Sequence, residues 1–229
     1  MNQSNNTEDV SLFCILLGCT PKGRNIEQHD VMFGVANTLQ GLTDDMKNFW
    51  YNNIIDEVSA SLKKQLPGLD NQQFSSTLLK TLSRRDKVHV DAWMKVEYAS
   101  GYKVQIRKKH SEPQEDNLKL YFINLGGYKE NEFEEFHKKL FVAATAVSDA
   151  LQQVMHHPFM KEHSPAELGI AGGAHLDDQH KIEFEADDIV CVSDAIGNEY
   201  ELVLEKADSP KENEMAIGYV RLDYGDNAL

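Results

Sequence analysis

Cysteine is scarce: only Cys14, Cys19 and Cys191 occur in 229 residues, and no two of them form a C-x-x-C pair. An odd, unpaired set excludes a disulfide framework and fits reduced thiols in the cytoplasm. Long apolar runs are also missing. None approaches the roughly 20 residues needed to cross a bilayer, so no membrane association is expected. The opening "MNQSNNTEDV" lacks the basic start and apolar centre of a signal peptide, and residues 1–11 read as a frayed tail. Basic charge is short in the second half. Residues 1–110 carry 14 Lys+Arg against 12 Asp+Glu, whereas residues 111–229 carry 9 against 25. A surface this acidic repels phosphate backbones, which argues against nucleic-acid binding and is read first as a solvated, solubilising face. Three catalytic signatures are missing too. "LGGYKEN" lacks the glycine spacing of a dinucleotide or Walker loop, and there is no nucleophile elbow and no readable serine or cysteine triad.

What the chain does contain is an internal echo. "LFCILLGC" begins at Leu12 and "LYFINLGG" at Leu120, an offset of 108. Over the 28 ungapped pairs from Leu12/Leu120 to Leu39/Val147, eight are identical, among them Gly18/Gly126, Glu27/Glu135, His29/His137 and Phe33/Phe141. Chance gives about two, so the pattern is read as an internal duplication. Each copy starts with an apolar run of strand length closed by glycine. The spacing of Ile26, His29, Phe33, Ala36 and Gln40 then predicts a helix, as does that of Phe133, His137, Phe141, Ala144 and Leu151. "KVHVDAWMKVEY" and "YKVQIRKK" read as strands joined by "ASG", with counterparts in "KIEFEADDIVCVS" and "YELVLEK". The expected fold is α+β: a duplicated strand-helix-strand-strand unit with mixed sheets covered by helices and pseudo-twofold symmetry. The units are placed at 12–110, with a helical insertion at about 59–86, and at 118–206. An acidic tail at 207–229 holds one short strand near Ala216–Leu222. Such a strand can close a sheet edge in its own chain or on a neighbouring subunit, which admits a homodimer.

The phrases "GRNIEQHDVMFGV", "VHVDAWMKV", "GYKVQIRK", "LYFINLGGYKENEFEEFH", "FVAATA" and "HLDD…ADDIVCV", in this order, resemble a bacterial family of uncharacterised proteins catalogued as domain of unknown function 1543. The resemblance covers most of residues 12–206 and implies no activity. The chain departs from the family pattern at the insertion, and at Cys19, where the family has a second glycine.

Among polar residues the repeated Glu-x-His stands out: Glu27 with His29, and Glu135 with His137. On a regular helix, residues two apart diverge and cannot share a metal, so the simplest reading has each His as a hydrogen-bonded core residue. "VHVD" puts His89 and Asp91 on one face of a strand, and "AHLDD" offers His175 and Asp177. If each His-x-Asp approached its own Glu-x-His, two similar sites would arise, suited to a divalent metal or to acid–base work. The further histidines between His156 and His180 match no standard zinc spacing. Cys19 would be a reactive thiol only if exposed. The sequence alone favours a non-enzymatic binding or assembly module, with a protein or small ligand as partner and no cofactor. The alternative is a metal-dependent enzyme, by analogy with the paired modules of glyoxalase-like (vicinal oxygen chelate) proteins. Where the histidines point decides between them.

Overall fold

A computed structural model describes residues 10–109, 118–128, 131, 133, 135–155, 157–159, 189–209 and 211–222, with the backbone alone at 127–128. The chain divides into two compact units, residues 1–96 with 213–229, and residues 97–212. Among the described residues, no helix is long and apolar enough to cross a membrane.

The first unit is built on a four-stranded sheet of order β10-β3-β1-β2. Its strands are β1 (Ser11–Cys19), β2 (Gln28–Ala36), β3 (His89–Lys95) and β10 (Met215–Arg221). One sheet face is covered by α1 (Thr43–Tyr51), α2 (Ile55–Gln65) and α3 (Asn71–Arg85). Alternate β1 residues Phe13, Ile15, Leu17 and Cys19 pack there with Met32, Met46, Tyr51, Val58, Leu82 and Val90. Each fully buried aliphatic side chain contributes roughly 1.5–3 kcal/mol, so this layer holds the unit together. The helices begin where the sequence favours it. Acidic pairs Asp44/Asp45 and Asp56/Glu57 lie in the first turns of α1 and α2, and Asp70 with Gln73 forms a capping box on α3. Tyr51 Oη donates to the buried Asp86 carbonyl at 3.0 Å, tying α1 to the end of α3.

The second unit holds two three-stranded sheets, ordered β4-β5-β9 and β7-β6-β8. The first consists of β4 (Tyr98–Ala99), β5 (Tyr102–Lys108) and β9 (Tyr200–Lys206). The second consists of β6 (Lys119–Tyr128), β7 (Glu135–Ala144) and β8 (Ile189–Cys191). Helix α4 (Val147–Val154) and the short α5 (Val192–Ala195) complete the unit. The core here joins Tyr121, Ile123, Leu125, Val142, Ala150 and Val154. At the tip of β4–β5, Ser100 and Gly101 both take positive φ, 47° and 82°, as a tight two-residue hairpin requires.

Three expectations are corrected. The segments expected to be helical around Ile26–Gln40 and from Phe133 are the strands β2 and β7, and helix starts only afterwards. The positions three and four apart were also compatible with alternation. In β2, His29, Val31, Phe33 and Val35 share one face, while Asp30, Met32 and Gly34 share the other. Apolar residues on both faces blur the period. The order of elements is therefore strand, strand, helix, strand. The sheets are not mixed either, since every described pairing is antiparallel. The terminal strand β10 closes the edge beside β3 of its own chain.

Candidate functional site

The change from helix to strand reverses the geometry of the Glu-x-His. On a strand, residues two apart point the same way. His29 on β2 and His89 on β3 both sit opposite Gly18 of β1, one on each side. Glu27, just before β2, shares the face of His29. Asp91 shares that of His89, helped by a β-bulge. Leu16 pairs with Ala92 and Leu17 with Val90, which leaves Asp91 as the extra residue. A bulge re-aims a side chain in this way next to functional sites.

The four groups converge over Gly18, on the sheet face away from the helices. His29 Nε2 lies 3.1 Å from Asp91 Oδ2 and 3.6 Å from Glu27 Oε2. His89 Nε2 lies 3.0 Å from Glu27 Oε1 and 3.3 Å from Asp91 Oδ1. Ligand atoms of Glu27, His29 and Asp91 fall within 4.8 Å of one another. Glycine is needed beneath them, because a Cβ at Gly18 would come within 2.7 Å of His89 Nε2 and closer still to Asp91 Oδ2.

His89 is the anchor. It is only 4% exposed, and its Nδ1 lies 3.2 Å from the Lys87 carbonyl. A carbonyl can only accept, so Nδ1 donates to it, and Nε2 is the ring atom that faces the cluster. Despite the short distances, buried Nε2 of His89 and Oδ2 of Asp91 have no hydrogen-bond partner among the described residues. Two carboxylates face one another around this buried ring nitrogen, an environment that favours a cation. The rim is open, with the His29 and Glu27 side chains 44% and 40% exposed.

The second unit repeats part of the arrangement. Gly126 pairs with His137 as Gly18 pairs with His29, and a Cβ at Gly126 would strike Glu135 Oε1. Glu135 and His137 approach to 3.8 Å. His175 and Asp177, the remaining candidates, lie outside the described residues. Two contributors escaped the sequence reading. Gly18 was visible only as a repeat identity with Gly126, and its role as the floor under the cluster was not inferred. Tyr219 of β10, whose ring centroid stands 4.2 Å from that of His89, had no local signal. Cys19 is fully buried, and burial, reinforced by Asp86 and Glu27, pushes its thiol up to about 12, which removes it as a nucleophile. A cavity of about 860 Å³ on the helix side of the sheet, between α2, α3 and Lys22, is lined by none of the cluster residues.

Residues 24–57 match the family described as Domain of Unknown Function (DUF1543), a segment that spans Glu27, His29, β2 and α1. The fold is similar to the crystal structure of protein Il1583 from Idiomarina loihiensis. That likeness has a TM-score of 0.51 at 20% sequence identity and covers 95% of this chain and 100% of that chain. At such identity it concerns the fold alone. No curated protein matches the chain. The match over residues 24–57 agrees with the resemblance of the sequence motifs to the family of domain of unknown function 1543.

Proposed function

We propose that the first unit holds a divalent metal ion between Glu27, His29, His89 and Asp91, and that the protein is metal-dependent in its activity. One observation carries this reading: His89 is buried, with its ring oriented by the Lys87 carbonyl and its Nε2 turned towards two carboxylates. Two imidazoles with carboxylates suit zinc, iron or manganese. The half-exposed rim suits a catalytic centre better than a structural one, since structural zinc sites are closed. When bound, such an ion supplies Lewis acidity at an oxygen ligand. We also read the two hairpins as copies of one ancestral unit related by a pseudo-twofold, with Glu135 and His137 as a partial echo of the site. The equal Gly-to-His register at an offset of 108 supports this.

Elemental analysis of the untagged chain, purified without chelators, tests the proposal, followed by calorimetric titration of the stripped protein with Zn2+, Mn2+ and Fe2+. One equivalent that is lost in both Asp91→Asn and His89→Ala, with circular dichroism unchanged in at least the conservative variant, is the expected result. At a concentration about 100 times Kd, the ion should add about 2.7 kcal/mol of stability, and chelation should remove it. Wild-type protein that takes up none of these ions sinks the proposal, and the non-enzymatic binding module favoured by sequence alone becomes the better account.

A further inference from the structure

Beside the cluster lies an apolar strip that the core does not use. Met215, Ile217 and Tyr219 of β10 are 58%, 78% and 61% exposed, and they alternate on one face of the strand. Register places that strip on the site side of the sheet. Ile217 pairs with Ala92 and Met215 with Met94, whereas Val220, paired with Val90, turns to the core. Tyr219 joins strip to site through its ring contact with His89. A soluble protein has no folding reason to expose three large apolar side chains in a row next to an open polar cluster, and such patches mark ligand or partner sites.

We infer that the strip is the substrate shelf of the proposed centre, and that the substrate is a small molecule with a chelating oxygen head and an apolar or aromatic body. The inference rests on the metal reading. The head meets the cluster over Gly18, between the exposed edges of His29 and Glu27, while the body lies along Tyr219 and Ile217. Tyr219 is the pivot, because it contacts His89 on one side and offers an aromatic face on the other. The exposed carboxylates around the cluster favour a head that reaches the ion with neutral or singly charged oxygens over a polyanion.

Two probes with the same chelating head separate the parts: acetohydroxamate, which has no body, and benzohydroxamate, which has an aromatic one. Both are titrated into the full-length chain loaded with Zn2+. The expected result is a preference of about tenfold for benzohydroxamate, the scale of one good aromatic contact, that falls towards one in Tyr219→Ala and in Ile217→Ser. The ratio of the two constants is the readout, so a general loss of head affinity does not mimic the effect. A ratio near one in wild-type protein, or a ratio that survives both variants, overturns the shelf while leaving the metal reading intact. A chain that takes up no Zn2+ removes both. The rival occupant is a second copy of the chain paired along the β10 edge. Sedimentation velocity showing a dimer that Ile217→Asp converts to monomer assigns the strip to that interface and overturns the shelf.

Discussion

Gly18 and Cys19 stand next to each other at the end of β1 and face opposite sides of the sheet, one beneath the cluster and the other in the core. Their neighbours set different predictions. Gly18→Ala forces a methyl group against His89 Nε2 and Asp91 Oδ2, so the cluster must spread. Metal affinity should fall at least tenfold in calorimetry, with stability reduced by about 1–3 kcal/mol in denaturant titration, the usual range for overpacking. Cys19 should resist a thiol reagent at about pH 8 in the folded protein and react once unfolded. Its thiol is held neutral by burial and by the negative charges of Asp86 and Glu27. Rapid labelling of Cys19 in the native state would contradict that burial. The residue types of the cluster were legible at this scale, but their convergence was not. His89 and Asp91 were named from same-face spacing on a strand, whereas Glu27 and His29 were named from a repeated Glu-x-His read on a helix, and their shared face follows only from the strand β2. The ring orientation of His89 was not legible, because it depends on where the Lys87 carbonyl points.

Strands β2 and β7 show where local pattern ran out. The expected helix over Ile26–Gln40 rested on residues three and four apart, yet Gln28–Ala36, the middle of that segment, pairs with β1. Pairing with a partner outside the window overrode the local signal. Helix α3, by contrast, carries its own start signal. Asp70 accepts from Gln73 N at 2.8 Å and Gln73 Oε1 accepts from Asp70 N at 3.2 Å, so Asp70→Ala should lower stability by about 1 kcal/mol in urea titration. In the second unit, Lys119 Nζ on β6 donates to Asp194 Oδ1 and Oδ2 of α5 at 3.1 and 3.0 Å. That bond holds the Asp194 carboxyl below its usual range and raises Lys119 above its own. A depressed carboxylate stabilises the fold above its unfolded pKa and loses the effect as pH falls through its folded value, below about pH 4. A raised lysine stabilises below its unfolded pKa and loses the effect as pH climbs through its folded value, above about 10.5. Both side chains are substantially exposed, 43% and 64%, so solvent screening keeps the sum under about 1 kcal/mol. Denaturation of Asp194→Asn and wild type should differ at neutral pH and converge as pH falls through the lowered folded value of Asp194.

The two units are not consecutive lengths of chain. Residues 213–229 return to the first unit after 97–212 have formed the second. This return was not legible in the sequence, because the pairing of β10 with β3 joins segments more than a hundred residues apart. Both tryptophans, Trp50 and Trp93, pack against the core of the first unit, so their fluorescence reports that unit alone. Truncation after residue 212 removes β10 together with Val220 and Leu222 from that core. The fluorescence transition should then move to lower denaturant by roughly 3 kcal/mol or more, the scale of losing two buried aliphatic side chains. Equal transitions for truncated and full-length chains would mean that β10 is dispensable.

That late return also sets an order of assembly on the ribosome. Residues 97–212 are made between β3 and β10, so the first unit lacks its edge strand while the second is being synthesised, for roughly 6–24 s at about 5–20 residues per second. Throughout that interval His89 has no Tyr219 beside it and β3 shows an open edge to other nascent chains. The proposed centre thus gains Tyr219 only after the second unit has been made, and an ion captured earlier would meet a site without its shelf.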